Sequence, residues 1–287
     1  MAGLRVPGYL LPAFGANDPF PRRTAPVPNT HQSSTMPKTA SPSFFALISD
    51  IHANIDALEA VLADIKEWPV KAVLCLGDII GYGPEPAACL QRIAETCAVT
   101  VLGNHDTMLF LPDELDGEGL RPEIVAPIKL AAKQLSENQV EWLRTLPLTA
   151  DLDPITLAHA NLHDPIGFDY LINEHAIQAH FAAQATFISF VGHTHLPMVW
   201  EHRGDKINCY QAPEKPVRLE AGHRFAVNVG SVGQPRDGDT RACYALYDFE
   251  NRILQFRRVE YDLKKAQARF KKAKLPAGNA KRLSEGR

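Results

Sequence analysis

Short apolar runs alternate with amphipathic stretches from Phe44 onward. "FFALIS" (44–49), "KAVLCLG" (71–77) and "AVTVLG" (98–103) are apolar, brief and bounded by turn residues, so each predicts a buried strand. Between the first two, Ile55, Leu58, Val61, Leu62 and Ile65 recur at helical spacing within 55–68, behind Asn54 as an N-cap. "EPAACLQRIAET" (85–96) predicts a second amphipathic helix. A βαβαβ order of this kind calls for parallel strands with right-handed crossovers.

The middle of the chain reads as helical. "PEIVAPIKLAAKQL" (122–135) keeps its periodicity through Pro127, and Ser136 with Gln139 makes a capping-box start for "ENQVEWLRTL". Beyond Leu148 the texture turns to strands at 155–160, 187–192, 198–203, 206–211, 225–230, 242–249 and 252–261, with hairpin meanders expected. Parallel strands followed by a meander suggest an α/β fold of two sheets packed face to face and flanked by helices.

Residues 1–43 are rich in Pro, Ser, Thr and Asn and show no sustained period. They cannot bury enough apolar surface to offset ordering entropy, so disorder is expected. Met36 is an alternative start, and 44–287 reads as a single domain. Pro7 and Pro12 interrupt what would be the apolar region of a signal peptide. No apolar run reaches the roughly 18 residues of a membrane span.

The net charge of −3 supplies no bulk attraction for nucleic acid or an anionic membrane. The five cysteines are odd in number and lack a CxxC pair, which argues against a disulfide framework or a thiolate zinc site. A reducing, cytoplasmic location fits that pattern. The basic stretch 261–287 carries a partial apolar stripe of Leu263, Ala266, Phe270 and Leu275, and is expected to be a closing helix with a solvated basic face.

The chemistry lies where the apolar runs end. The first ends in Asp50 and His52, the second in Asp78, the third in Asn104, His105 and Asp106, the fourth in His159, the fifth in His193 and His195. Ligands of open α/β sheets bind beyond the carboxyl ends of the strands. The donors are nitrogen and oxygen without thiolate, a set that suits Mn, Fe, Zn or Co. Asp50, His52, Asp78, Asn104, His159, His193 and His195 are too many for one tetrahedral ion and suit two ions sharing a carboxylate. If the extended conformation persists past Gly192, His193 and His195 share a face and Thr194 points away.

The ordered motifs "DIH", "GD", "GNHD", "H" and "GHTH" resemble the calcineurin-like metallophosphoesterase signature. "SDIHANIDALEAVL", "GDIIGYGPEPAACL" and "VNVGSVGQPRDGD" are similar to the small bacterial and archaeal phosphodiesterases of the diadenosine tetraphosphatase-like branch. The resemblance implies a four-layer αββα sandwich of two mixed β-sheets and two divalent or trivalent transition-metal ions (Mn, Fe, Zn, Co or Ni). It assigns Asp50, His52 and His195 to the first ion, Asn104, His159 and His193 to the second, and makes Asp78 the bridge. A metal-bridging hydroxide would attack phosphorus in line, with His105 as general acid and Asp106 orienting it.

Gly230, Ser231 and Gly233 would offer backbone N–H groups to a phosphate, Arg236 would add charge, and Asn54 would contact substrate or cap the helix. Ala53 stands where many relatives have Gly, and "GDIIGYGPEP" lacks the Arg of the Ser/Thr protein phosphatases. The expected substrate is a small phosphorylated molecule, a nucleotide among the candidates, with specificity carried by 107–135 and 161–175. A non-catalytic interaction module on this fold and a DNA nuclease are the alternatives; the complete ligand set argues against the first and the net charge against the second.

Overall fold

The computed structural model describes residues 44–110, 115 and 119–287; the N-terminal extension lies outside them. Strands β1 (Phe44–Ile48), β2 (Val70–Cys75) and β3 (Cys97–Thr100) pair in parallel. Helices α1 (Ile55–Ile65) and α2 (Pro86–Thr96) join them. Helix α1 starts where the sequence predicts, because Asn54 Oδ1 accepts from the Ala57 N–H and closes the first turn. Leu58, Val61, Leu62 and Ile65 of its predicted stripe are buried, and Ile55 is half-buried.

The free edge of β1 does not stay in a parallel sheet. It pairs antiparallel with β11 (Ala242–Asp248), which continues to β12 (Ile253–Val259) and β9 (Val217–Arg218). The second sheet runs β4 (Thr149–Asp151), β5 (Ile155–Ala158), β6 (Ile188–Val191), β10 (Arg224–Asn228), β7 (Met198–Arg203), β8 (Lys206–Gln211) in spatial order. Both sheets are mixed, since β5, β6 and β10 are parallel and the rest of that sheet antiparallel. The meander is therefore split: its first hairpin, β7–β8, stays in the second sheet, while β11–β12 returns to β1. Strands β4 and β9 are too short to show a period in sequence.

Alternation along β1 shows the layering. Ala46 and Ile48 join a helix-side cluster with Leu58, Val61 and Ile93, while Leu47 joins Leu157, Phe190 and Val227 between the sheets. Helices α4 (Pro122–Gln134) and α5 (Glu137–Arg144) add Ile128, Ala131 and Leu143 to the helix-side cluster. On the far side, α6 (Glu174–Ala183) sets Phe181 against Trp200. This is the four-layer αββα arrangement. Helix α6 was not expected, because its apolar stripe is weak.

His180 ties α6 down. Its Nε2–H donates to Ser189 Oγ at 2.8 Å and its Nδ1 accepts from the Leu162 N–H at 3.2 Å, so the ring is neutral. Burial above all, and then Arg224, pushes its pKa down to about 4 from 6.5. The unfolded chain binds the proton more readily, so stability is complete above pH 6.5 and falls between 6.5 and 4. The total is about 3 kcal/mol. Urea unfolding at pH 7 and pH 4.5 should show an acid loss larger by about 2 kcal/mol in the native protein than in His180→Gln.

The closing segment is two helices, α7 (Leu263–Lys272) and α8 (Ala277–Glu285), broken at Lys274 with φ 56° and Pro276. Of the predicted stripe, Ala266 and Phe270 are buried and Leu263 and Leu275 half-buried, and Leu283 joins the cluster. Most of the basic side chains are exposed, but Arg269 is half-buried between Asp56 and Glu85, each at 2.9 Å. Among the described residues no helix is long and apolar enough to cross a membrane.

Candidate metal centre

Five strands of two sheets end at one edge. Asp50 and His52 follow β1, Asp78 follows β2, and Asn104, His105 and Asp106 open α3 (Asn104–Met108) after β3. His159 follows β5, and His193 and His195 follow β6. All are buried except Asn104, which is half-buried. The backbone is bent to aim them. Among the described residues ten non-glycine residues have positive φ, and Asp50, His52, Ala53, Asp78, Tyr82, His193 and His195 are seven of these. Each costs about 1–2 kcal/mol, a strain that collects at functional sites.

The "GHTH" turn departs from its expected course. Strand β6 ends at Val191, and His193 (φ 68°) and His195 (φ 60°) are both left-handed, so strand alternation does not orient them. A Cβ at Gly192 would collide with Ser49 Oγ and the Asp50 carboxylate. Its absence lets the His193 N–H donate to Asp50 Oδ2 at 3.0 Å. The two imidazoles then reach different donor groups: His195 joins Asp50 and His52, while His193 joins Asp78 and His159.

Asp78 connects the groups. Its Oδ2 lies 3.3 Å from His159 Nε2 and 3.7 Å from His52 Nε2. Its Oδ1 accepts from the His105 N–H at 2.8 Å. Asn104 Oδ1 is 3.1 Å from His159 Nε2, and Asp50 Oδ1 is 3.3 Å from His195 Nε2.

The protonation of three imidazoles follows from their other nitrogen. The Nδ1 atoms of His52, His159 and His195 face the carbonyl oxygens of Ile80, Leu76 and Gln234 at 3.1, 2.7 and 2.5 Å. A carbonyl only accepts, so each Nδ1 carries a proton, and each ring presents a bare Nε2 whenever it is neutral. His52 Nε2 and His195 Nε2 stand 3.1 Å apart with Asp50 Oδ1 beside both, so that with both rings neutral their lone pairs face each other. Such convergence is repulsive in itself and favourable around a cation. The donor set therefore fits transition-metal ions.

The electrostatics agree. Burial raises the Asp50 pKa, but His195, His52 and His159 outweigh it and hold the carboxyl below its usual range. Asp78 is likewise raised by burial and lowered further by His159, His105 and His52, so it is ionised. Burial opposes charging His159, yet Asp78 and Asp50 lift it to about 9, so a proton sits there when no ion does.

His105 points into the cluster with its ring centroid 4.9 Å from that of His52, and its Nδ1 is buried without a hydrogen-bond partner. Burial pushes it down to about 3 against the pull of Asp78, with His52, Arg236 and His193 adding to the fall. The expected orienting contact from Asp106 is not made. Asp106 Oδ1 accepts from the N–H groups of Ile79 and Ile80 at 3.0 and 3.2 Å, and Oδ2 from that of Gly103 at 3.1 Å. Asp106 clamps the Asp78 loop to the start of α3 instead.

The phosphate-cradle reading of the 230s turn also needs correction. The N–H groups of Gly230 and Gly233 donate to Asn228 Oδ1 and Asp50 O, both at 2.9 Å, and Ser231 Oγ donates to Asp50 O at 2.9 Å. Asn54 spends Oδ1 on the α1 cap and Nδ2 on Gly233 O at 3.0 Å. The Gly233 N–H, the Ser231 hydroxyl and Asn54 brace the turns around Asp50, and the N–H groups of Gly230 and Gly233 are spent within the protein. Arg236 does face the centre, its Nη2 donating to Tyr82 Oη and Gln234 Oε1, each at 3.2 Å.

Two aromatic neighbours were missed in sequence. Tyr82 packs against His52 and His105 with centroids 4.6 Å from each, and Tyr170 stacks on His193 at 4.1 Å and 16°. "GYG" and "FDY" carry no periodic signal that marks them out; proximity to the motif histidines in space does.

Fold and donor set together define a metallophosphoesterase. The calcineurin-like phosphoesterase superfamily domain matches residues 44–252, and the chain belongs to that family. A metallophosphoesterase from Sphaerobacter thermophilus superposes with a TM-score of 0.75 at 33% identity, over 86% of this chain and 100% of that one. An uncharacterised protein of Methanocaldococcus jannaschii is 34% identical over 85% of this chain and 99% of its own. A symmetrical bis(5'-nucleosyl)-tetraphosphatase of Aeromonas salmonicida is 35% identical over 40% of this chain, which spans 43% of that enzyme.

Proposed function

We propose that the chain is a dinuclear metal-dependent hydrolase of phosphate esters or phosphoanhydrides. The observation that carries this reading is the facing pair of bare His52 and His195 nitrogens, joined through Asp78 to a second donor group. Asp50, His52 and His195 would hold one ion, Asn104, His159 and His193 the other, with Asp78 shared. Bound there, the ions would supply water with its pKa lowered to about 7 and positive charge against the phosphoryl oxygens.

The chain's own groups do the rest. His105 donates a proton to the leaving oxygen; it is neutral in the free protein, and the negative charge of the substrate favours its protonation. Arg236 offers charge-assisted hydrogen bonds to a phosphoryl oxygen at the mouth of the site. Asp106 holds the Asp78 loop in place. The partial match to tetraphosphatases supports a nucleotide-type small substrate. All five cysteines are free, which supports a reducing, cytoplasmic setting.

The test is turnover. Protein stripped with chelator should release no p-nitrophenolate from bis(p-nitrophenyl) phosphate until Mn(II) is restored. A parallel panel of phosphomonoesters, cyclic nucleotides and dinucleoside polyphosphates would rank substrates. No turnover across that panel with Mn, Co, Ni, Zn or Fe would overturn the reading.

A further inference from the structure

The exposed large apolar side chains among the described residues are Ile166, Tyr170 and Ile172, at 39%, 44% and 68% exposure. Scattered singly, such residues need no explanation; gathered on one segment beside a polar centre, they mark a contact surface. Their segment is pinned. Asn161 bonds to Asp169 O and the Asp164 N–H at 3.1 and 2.7 Å, Leu171 is buried with Phe181 and Trp200, and Asn173 caps α6.

Tyr170 is held in a defined pose. One face of its ring covers His193, and a tight turn from the Ile172 N–H to Tyr170 O at 3.0 Å keeps the two side chains on one short stretch. Tyr170 is nonetheless 44% exposed. Arg236 borders this surface: it bonds to Tyr82 Oη, and its charge acts on the Tyr170 hydroxyl. An aromatic plane fixed within reach of a phosphoryl site, next to a guanidinium, is the arrangement that receives an aromatic ring attached to phosphate.

We infer that the exposed part of the Tyr170 ring is the subsite for an aromatic group, a nucleobase or aryl ring, on the part of a phosphodiester that is not expelled. This rests on the hydrolase reading above. Tyr170 is here a specificity-determining residue, and the stacked ring raises the occupancy of diesters that carry such a group over those that do not.

Two substrates with the same leaving group isolate the effect: bis(p-nitrophenyl) phosphate retains an aryl group, and methyl p-nitrophenyl phosphate retains a methyl. In Tyr170→Leu, kcat/KM for the first should fall about tenfold, chiefly through KM, while the second changes less than about twofold. Tyr170→Phe, which keeps the ring, should restore the native ratio, and bound metal should be unchanged in both variants. Equal losses on both substrates, or loss of metal, would overturn the subsite and make Tyr170 a support for His193. A native dimer that Ile172→Asp converts to monomer without changing the substrate ratio would overturn it in favour of a self-association surface. Turnover of neither diester by the native protein would overturn the subsite, whereas the hydrolase reading falls only if the wider panel is inert as well.

Discussion

Asp78→Asn is expected to abolish metal-dependent hydrolysis, by at least about a thousandfold, in a protein that still folds. The two oxygens of Asp78 have separate duties. Oδ1 accepts from the His105 N–H, a bond that an asparagine oxygen can keep. Oδ2 stands between the His52 and His159 nitrogens, and the amide NH2 of the variant would fall there. An NH2 group has no lone pair to give a cation. The variant also removes the negative charge that lifts His159 to about 9. Initial rates with added Mn(II), alongside a thermal melt, check both halves of the prediction. Undiminished turnover would rule out a shared carboxylate.

His105→Asn should have the second largest effect, and it should depend on the leaving group. A positioned general acid contributes typically about 10²–10⁴-fold when the departing oxygen needs a proton. Phenyl esters should therefore lose about a hundredfold or more. p-Nitrophenyl esters, whose leaving oxygen departs as a stable anion, should lose less than about tenfold. Asp106→Asn should not reproduce this pattern, because its carboxylate bonds to the backbone of Ile79, Ile80 and Gly103. A series of aryl diesters graded by leaving-group pKa gives the slope for each variant. A uniform loss across the series would remove His105 from proton transfer.

The sequence disclosed the ligand candidates better than it disclosed their surroundings. Each stands at the end of an apolar run, and strand ends in such folds are where ligands gather. The predicted strands and the α1 cap follow from local patterning, which survives folding because each face meets a matching layer. Sheet membership does not follow in that way. The return of β11 and β12 to β1 is a long-range pairing that no local period encodes.

The turns carry the least sequence signal. His193 and His195 sit in left-handed conformations that an apolar strand run does not announce, so strand alternation does not describe how they reach the two donor groups. The glycines of "NVGSVGQ" resemble a phosphate cradle in composition, yet their N–H groups at 230 and 233 are spent on Asn228 and Asp50. The carbonyls of Leu76, Ile80 and Gln234 set the imidazole tautomers, and a backbone carbonyl carries no sequence signal.

The central claim is two ions with His193 and His195 on different ones. Elemental analysis of protein loaded with Mn(II), then freed of excess metal by gel filtration, tests it directly. The native chain should hold two ions, His195→Ala one, His193→Ala one and the double variant none. One ion per native chain, or one ion still bound in the double variant, would contradict it.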